Sequence, residues 1–70
     1  MYTIIHRNVD GAGIQETDIP TRAAAIARAD QLQTIANDGP DGNPYLYAYS
    51  VHAYGECWHR TTPRYTAPAR

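Results

Sequence analysis

The chain lacks phenylalanine and lysine, and it has a single cysteine among its 70 residues. Cys57 therefore cannot form an intrachain disulfide, which suits a reducing compartment and leads us to expect a cytoplasmic protein. Without phenylalanine, bulky core volume must come from the six tyrosines and one tryptophan. The alternative is that a partner covers part of the apolar surface, as small domains with few large aliphatic residues often require.

Three further absences narrow the range of functions. The formal net charge is −1, whereas a nucleic-acid binder usually carries a basic excess that neutralises phosphates. No apolar run approaches the roughly 20 residues of a membrane-spanning helix. The first residues combine neither a basic segment nor a long apolar one, so we expect no signal peptide. These observations favour a protein that neither enters a membrane nor binds nucleic acid.

The first third of the sequence predicts a β-hairpin. Tyr2–Val9 is rich in β-branched and aromatic residues and reads as a strand. Asp10–Gly13 should stop this strand, because its glycines accept the positive φ angles of hairpin turns. The return segment Ile14–Ile19 has more polar residues, which indicates an edge strand.

A helix is the clearest predicted element. Thr21 is a natural N-cap, alanine-rich helix formers follow it, and Gly39 and Pro40 should end it. At 100° per residue a narrow, mostly alanine stripe forms on one side. The stripe consists of Ala25, Ala29, Leu32 and Ala36, with Ile26 on its flank. Ile35 lies off the stripe and is either a rim contact or exposed.

The second half predicts one long strand, about Tyr45–Tyr54, beginning after Pro44. Gly55 indicates a bend or bulge, and "ECWHR" is a fourth short strand or a continuation. The predicted fold is α+β: a small antiparallel sheet of three to four strands with one helix packed on one face, in the order β-β-α-β, or β-β-α-β-β where the last short segment is a strand.

We expect a single domain over residues 1–60 and a flexible C-terminal tail over 61–70, because the tail has two prolines and few apolar residues. One helix covers only one face of a sheet. Since neither face of the first or the long strand is cleanly polar, the uncovered face is expected to meet a second copy or another protein.

The alternating tyrosines of the long strand allow two interpretations. They could form an exposed aromatic platform that anchors a partner or stacks bases. They could instead fill the core opposite the alanine stripe, which the absence of phenylalanine favours. The row has no basic neighbour before Arg60, so an exposed row would suit a protein better than RNA.

Three constellations could carry chemistry, and a plainer interpretation is preferred for each. His52, Cys57 and His59 are possible metal ligands, but Cys57 and His59 are expected on one strand face and His52 on the other, unless Gly55 shifts the register. Cys57 as a nucleophile has no recognisable orienting group. Ser50 and His52 share a face, which we interpret as coincidence. We therefore predict no catalytic residue, no metal and no cofactor.

The segment "CWHR" concentrates residue types that dominate protein interfaces, with Tyr54 nearby. The alternative is that Trp58 closes one end of the core. Arg22 and Arg28 are interpreted as a solvated helix face, with Arg22 slightly unfavourable near the helix start.

The layout resembles small phage-encoded inhibitor proteins, among them anti-CRISPR proteins of type I systems. The resemblance rests on "ETDIPTRAAAIARADQL", Glu16 to Leu32, a strand-to-helix junction covering about a quarter of the chain. It implies a viral protein that acts in the host cytoplasm, binding stoichiometrically to a host complex such as a type I CRISPR effector and blocking its activity. No residue role is carried over by position.

The sequence thus predicts a non-enzymatic protein-interaction module whose partner is a host protein or complex. The predicted partner-binding residues are Tyr47, Tyr49, Tyr54, Trp58, His59 and Arg60. A homodimer through the uncovered sheet face or the Ile14–Ile19 edge is compatible with this. The alternative, a small nucleic-acid-binding module using the tyrosine row, requires four arginines to converge on one face. These are Arg7, Arg22, Arg28 and Arg60.

Overall fold

A four-stranded antiparallel sheet with one helix on one face forms the described part of the protein, which confirms the predicted α+β fold. The computed structural model describes residues 1–8, 11–38 and 48–63. The spatial strand order is β2-β1-β3-β4, so β2 is an edge strand as predicted. The elements are β1 (Tyr2–Asn8), β2 (Gly11–Ile19), α1 (Arg22–Asn37), β3 (Ala48–Ala53) and β4 (Glu56–Arg60).

The glycines after β1 belong to strand β2, so the predicted turn over Asp10–Gly13 is wrong from residue 11 onward. Gly13 is closely packed. A Cβ there would lie 3.2 Å from Cε1 of His6, its cross-strand partner. Residues 9 and 10 lie outside the described residues.

Two β-bulges interrupt the edge strand β2, and each inserts one additional residue relative to β1. Ile4 pairs with Glu16 and Tyr2 pairs with Ile19, so three steps along β2 match two along β1. Asp18, within this bulge, has a φ of 62°. Bulges break the regular row of edge hydrogen-bonding groups, which makes β2 a poor template for adding another strand.

Helix α1 begins as predicted, because the Thr21 side chain accepts a hydrogen bond from the amide of Ala24 at 3.1 Å. Ala25 and Ala29 are fully buried, while Ile35 is 60% exposed. The stripe continues through Gln33, which is buried and was not predicted to be. None of the described helices has the length and apolar character that crossing a membrane requires.

The core lies between α1 and the two central strands. Ile4 of β1 and Val51 of β3 are fully buried, and burial of each stabilises the fold by roughly 1.5–3 kcal/mol. Tyr49 packs with them and with the helix alanines, and only 8% of it is exposed. Small alanines let the helix approach the sheet, and the tyrosine ring supplies the volume opposite. For Tyr49, therefore, the core interpretation of the tyrosine row is confirmed.

Strands β3 and β4 form a tight hairpin, so Gly55 interrupts the strand as predicted, but within a turn and not as a bulge, and "ECWHR" is a fourth strand. The long strand ends before Tyr54. Ala53 pairs with Glu56, which leaves Tyr54 and Gly55 as the two-residue turn. Their φ angles are 55° and 75°, as the primed turns of two-residue hairpins require. The first part of the predicted strand, residues 45–47, lies outside the described residues.

A bulge at Trp58 shifts the register of β4. His52 pairs with Cys57, but Val51 pairs with His59, so one additional residue enters β4 between these pairs. The prediction that Cys57 and His59 share a face is therefore wrong. Cys57 lies beside His52 on the sheet face away from the helix, and His59 lies on the helix side.

Strand β4 is followed by a residue that ties the chain to the core. The Thr61 hydroxyl accepts a hydrogen bond from the amide of Tyr49 at 2.8 Å and donates one to Oε1 of Gln33. The Thr61 amide donates to the carbonyl of Tyr49 at 2.9 Å. The start of the predicted tail is thus hydrogen-bonded to α1 and β3, whereas residues 64–70 lie outside the described residues.

Candidate functional site

Two surfaces of the described chain bring together residues that suit recognition. The first, here called the aromatic end, lies where the β3–β4 turn meets the starts of β1 and α1. The second, here called the open face, is the side of the sheet away from α1. The aromatic end consists of Tyr2, Arg22, Tyr54 and Trp58. The open face includes Thr3, Ile5, Arg7, Ala48, Ser50, His52, Cys57 and Arg60.

Tyr54 projects from the hairpin tip and is 79% exposed. Its ring contacts that of Tyr2 edge-to-face, with centroids 6.2 Å apart and an interplanar angle of 82°. Such a pair contributes about 0.5–1.5 kcal/mol beyond burial, so the exposed ring has a preferred orientation despite its position. An oriented aromatic side chain loses little entropy when a partner binds it.

Trp58 is held from two directions at the same end. Its indole Nε1 donates a hydrogen bond to the carbonyl of Ala53 at 3.2 Å. The Cζ atom of Arg22 lies 5.0 Å from the ring centroid, in cation–π geometry. The bulge at Trp58 and the first residue of α1 create this contact together. Because 38% of the residue remains exposed, Trp58 is fixed in position and still accessible.

The charge at the aromatic end is positive. Arg22 is the first residue of α1, and the first helical turn contains no acidic residue. The partial positive charge of a helix N-terminus adds to the guanidinium. The sequence predicts that Arg22 is solvated, and this prediction misses its contact with Trp58. A positive charge at a helix start is unfavourable, so the position of Arg22 in the sequence already indicated that another contact holds it there.

The predicted partner-binding residues do not form one surface. Tyr54 and Trp58 lie together at the aromatic end, whereas Tyr49 lies in the core and its ring is not accessible. Tyr47 lies outside the described residues. His59 is on the helix side and Arg60 is on the open face, because the bulge precedes them.

His59 joins the far edge of the sheet to the helix. Its Nε2 lies 2.8 Å from Oδ1 of Asp30, and the imidazole is half-buried. On the opposite edge, Nε of Arg28 lies 2.7 Å from Oε1 of Glu16 and forms a similar link. Both contacts connect α1 to an edge strand, so their role is to hold the helix in place.

On the open face, polar and cationic groups surround a depression over β3. Arg7 pairs with Ala48 and Arg60 with Ser50, so the two arginines flank β3 from opposite sides. Arg7 and Arg60 are exposed, and the depression between them is also lined by Ser50 and His52. Neither arginine forms an ion pair with another described residue.

The residues that the sequence suggests for metal binding or catalysis are Ser50, His52, Cys57 and His59. Within residues 1–8, 11–38 and 48–63, no three His, Cys, Asp or Glu side chains are grouped as metal ligands. Nε2 of His52 lies 2.7 Å from Oγ of Ser50, as side chains two residues apart on one strand face allow. Cys57 is exposed, and its Sγ lies 3.6 Å from the carbonyl of His59.

No protein-family model matches the chain, and no curated protein or solved structure matches it either. The function is therefore inferred from the geometry of the two surfaces.

Proposed function

We propose that the protein is a non-enzymatic interaction module that binds an acidic segment of a partner protein at its aromatic end. The observation that carries this proposal is the accessible Trp58, held between the carbonyl of Ala53 and the guanidinium of Arg22. Trp, Tyr and Arg are the residue types that most often dominate binding free energy at interfaces. Three such residues lie together here, and two of them are already oriented.

Charge favours an acidic partner segment. Arg22 and the N-terminus of α1 place positive potential beside the exposed ring of Trp58. A carboxylate of the partner could accept charge-assisted hydrogen bonds from Arg22 while apolar side chains contact the rings. The partner is therefore expected to present an acidic residue next to an apolar one.

The mode of action that we propose is stoichiometric occupation of a site on a larger host complex, which inhibits that complex by exclusion. This follows the resemblance of Glu16–Leu32 to small phage-encoded inhibitors. A reducing cytoplasm is the proposed compartment, because Cys57 is an exposed free thiol that an oxidising compartment would leave open to modification.

The nucleic-acid alternative has less support. It requires Arg7, Arg22, Arg28 and Arg60 to converge, but Arg22 contacts Trp58 and Arg28 contacts Glu16 on the helix side. The other two arginines lie on the open face. Tyr49, the described strand member of the tyrosine row, is buried and offers no stacking platform.

The proposal predicts that Trp58→Ala abolishes partner capture while Ile35→Ala does not. Both residues are exposed and apolar, but Ile35 lies on α1 away from the aromatic end. The full chain serves as bait in lysate of the natural host, and a photo-cross-linking amino acid at position 54 or 35 identifies direct contacts. Loss of Trp58 should weaken binding by roughly 2 kcal/mol or more, as for a central interface residue.

Capture that Trp58→Ala leaves unchanged would contradict the proposal, as would cross-links from position 35 alone. Circular dichroism of each variant checks that the fold is retained. The substitution removes the cation–π contact with Arg22, worth about 0.5–1 kcal/mol at an exposed site, together with the hydrogen bond to the carbonyl of Ala53 and the contacts of the covered part of the indole, so it is also expected to lower the free energy of unfolding.

A further inference from the structure

The depression on the open face has the composition of an anion site. It is lined by Arg7, Ser50, His52 and Arg60, and by backbone or side-chain atoms of neighbouring residues. None of the described residues that line it is acidic. The backbone positions of the two arginines lie on strands on either side of β3, two strand spacings apart and offset by two residues along the strand, which places them roughly 12 Å apart. Extended arginine side chains from these positions can meet over Ser50.

The charge of the site is unusual for this protein. The whole chain has a formal charge of −1, yet the depression brings two arginines together with no carboxylate among the described residues that line it. Two like charges held close together raise the free energy of the folded state unless an opposite charge compensates them. Other described cations are engaged elsewhere: Arg28 pairs with Glu16, and Arg22 stacks on Trp58. Arg7 and Arg60 are thus available to bind an anion.

Besides the two arginines, Ser50 and His52 can contact a ligand in the depression. Which of the two side chains donates the hydrogen bond between them depends on the imidazole tautomer of His52. Their Oγ and Nε2 atoms lie 2.7 Å apart. When Nε2 carries the proton it donates to the serine oxygen, and the serine hydroxyl can then donate to a ligand. The floor of the depression can therefore offer an O–H donor between the two guanidinium groups.

We propose that the open face binds a phosphate monoester through Arg7, Arg60 and the Ser50 hydroxyl, with His52 setting the direction of that hydroxyl. A phosphate monoester carries close to two negative charges at neutral pH and three acceptor oxygens. Two guanidinium groups balance this charge, and the donors approach from three sides. A carboxylate brings half the charge and one oxygen fewer. The site is separate from the aromatic end and does not depend on the function proposed for that end.

The test is a nuclear magnetic resonance titration of the full ¹⁵N-labelled chain at constant ionic strength, above the second phosphate pKa of about 6. The probes are inorganic phosphate, O-phosphoserine, a phosphoserine peptide, acetate and a single-stranded oligonucleotide. Phosphate and O-phosphoserine should shift the amides of Ser50 and His52 along saturable curves, and acetate should bind at least several-fold more weakly. Tighter binding of the peptide than of O-phosphoserine supports the site and identifies its ligand as a phosphoprotein. Equal affinity supports the site and identifies a small phosphorylated molecule.

Variants locate the site. Arg7→Gln and Arg60→Gln should each weaken phosphate binding by about tenfold or more, as expected for a charge-assisted contact, and Ser50→Ala should weaken it less. Arg22→Gln removes the same charge on the helix side and should leave the affinity unchanged.

Shifts that never saturate would overturn the proposal, as would equal weakening by Arg22→Gln or equal affinity for acetate. Tighter binding of the oligonucleotide than of O-phosphoserine would also overturn it, in favour of a nucleic-acid surface. Trp58→Ala should not alter phosphate binding, so the outcome is independent of whether the aromatic end binds a protein.

Discussion

At the scale of single residues, the β3–β4 turn is the clearest point of backbone constraint. Gly55 has a φ of 75°, and a Cβ placed there would contact nothing within 4 Å. The cost of a side chain at this position is therefore conformational and not steric. We predict that Gly55→Ala lowers the free energy of unfolding by about 1–2 kcal/mol, the usual cost of the left-handed region for an L-residue. Urea unfolding followed by circular dichroism measures it.

A matched control changes only chirality. The 70-residue chain is accessible to chemical synthesis, and Cys57 provides a ligation point two residues after the turn. D-alanine at position 55 favours positive φ and should be at least as stable as glycine, because it restricts the unfolded chain. Equal destabilisation by both enantiomers would show that the turn does not have the described geometry.

At the scale of elements, Thr61 connects β3, α1 and the end of β4 through one hydroxyl group. Thr61→Val keeps the side-chain shape but removes the acceptor for the Tyr49 amide and the donor to Gln33. Because these groups are largely buried, we expect a loss of about 1–3 kcal/mol in the free energy of unfolding. Thermal and urea unfolding measure this loss.

The neighbouring residue offers the control for that substitution. Thr62 contacts Asn37 through its backbone carbonyl, at 3.5 Å, and the residue is exposed. Thr62→Val should therefore change the free energy of unfolding by less than about 0.5 kcal/mol, as for most surface substitutions. Similar losses at positions 61 and 62 would contradict the anchoring role of the Thr61 hydroxyl.

The elements also show what the sequence could and could not predict. The N-cap at Thr21, the helix stripe and the edge position of β2 follow from local patterns, and all three are confirmed. The bulges in β2 and at Trp58 could not be predicted, because they depend on pairing with a distant strand. For the same reason the predicted binding residues were divided between two faces, and Arg7 was assigned no role on the open face.

At the scale of the whole molecule, the open face should resist self-association. A twofold dimer through this face would bring the patch that contains Arg7 and Arg60 against the same positively charged patch of the other copy. Like charges at an interface disfavour association. The β2 edge is disrupted by two bulges, which weakens the second route to a homodimer that the sequence suggested.

We therefore predict that the isolated protein is monomeric, with a mass near 7.8 kDa by sedimentation equilibrium in phosphate-free buffer at high micromolar concentration. Arg7→Glu serves as the contrast, because opposite charges on the open face would permit self-pairing. A dimer of the unmodified chain that Arg7→Glu does not strengthen would indicate association through another surface.

The additional residue in β4 separates the two recognition surfaces. In a strand without this residue, His59 would lie on the same face as Cys57. Because of the bulge at Trp58, His59 lies on the helix side and Arg60 lies on the open face. Substitutions can adjust the chemistry of either surface, but they cannot move a residue between them. Deletion of the codon for Trp58 would not do so either, because Cys57 and His59 would then follow one another opposite His52 and Val51, and Arg60 would stay on the open face. The two surfaces can therefore diversify independently, and loss of the bulged residue alters the aromatic end without moving Arg60 off the open face.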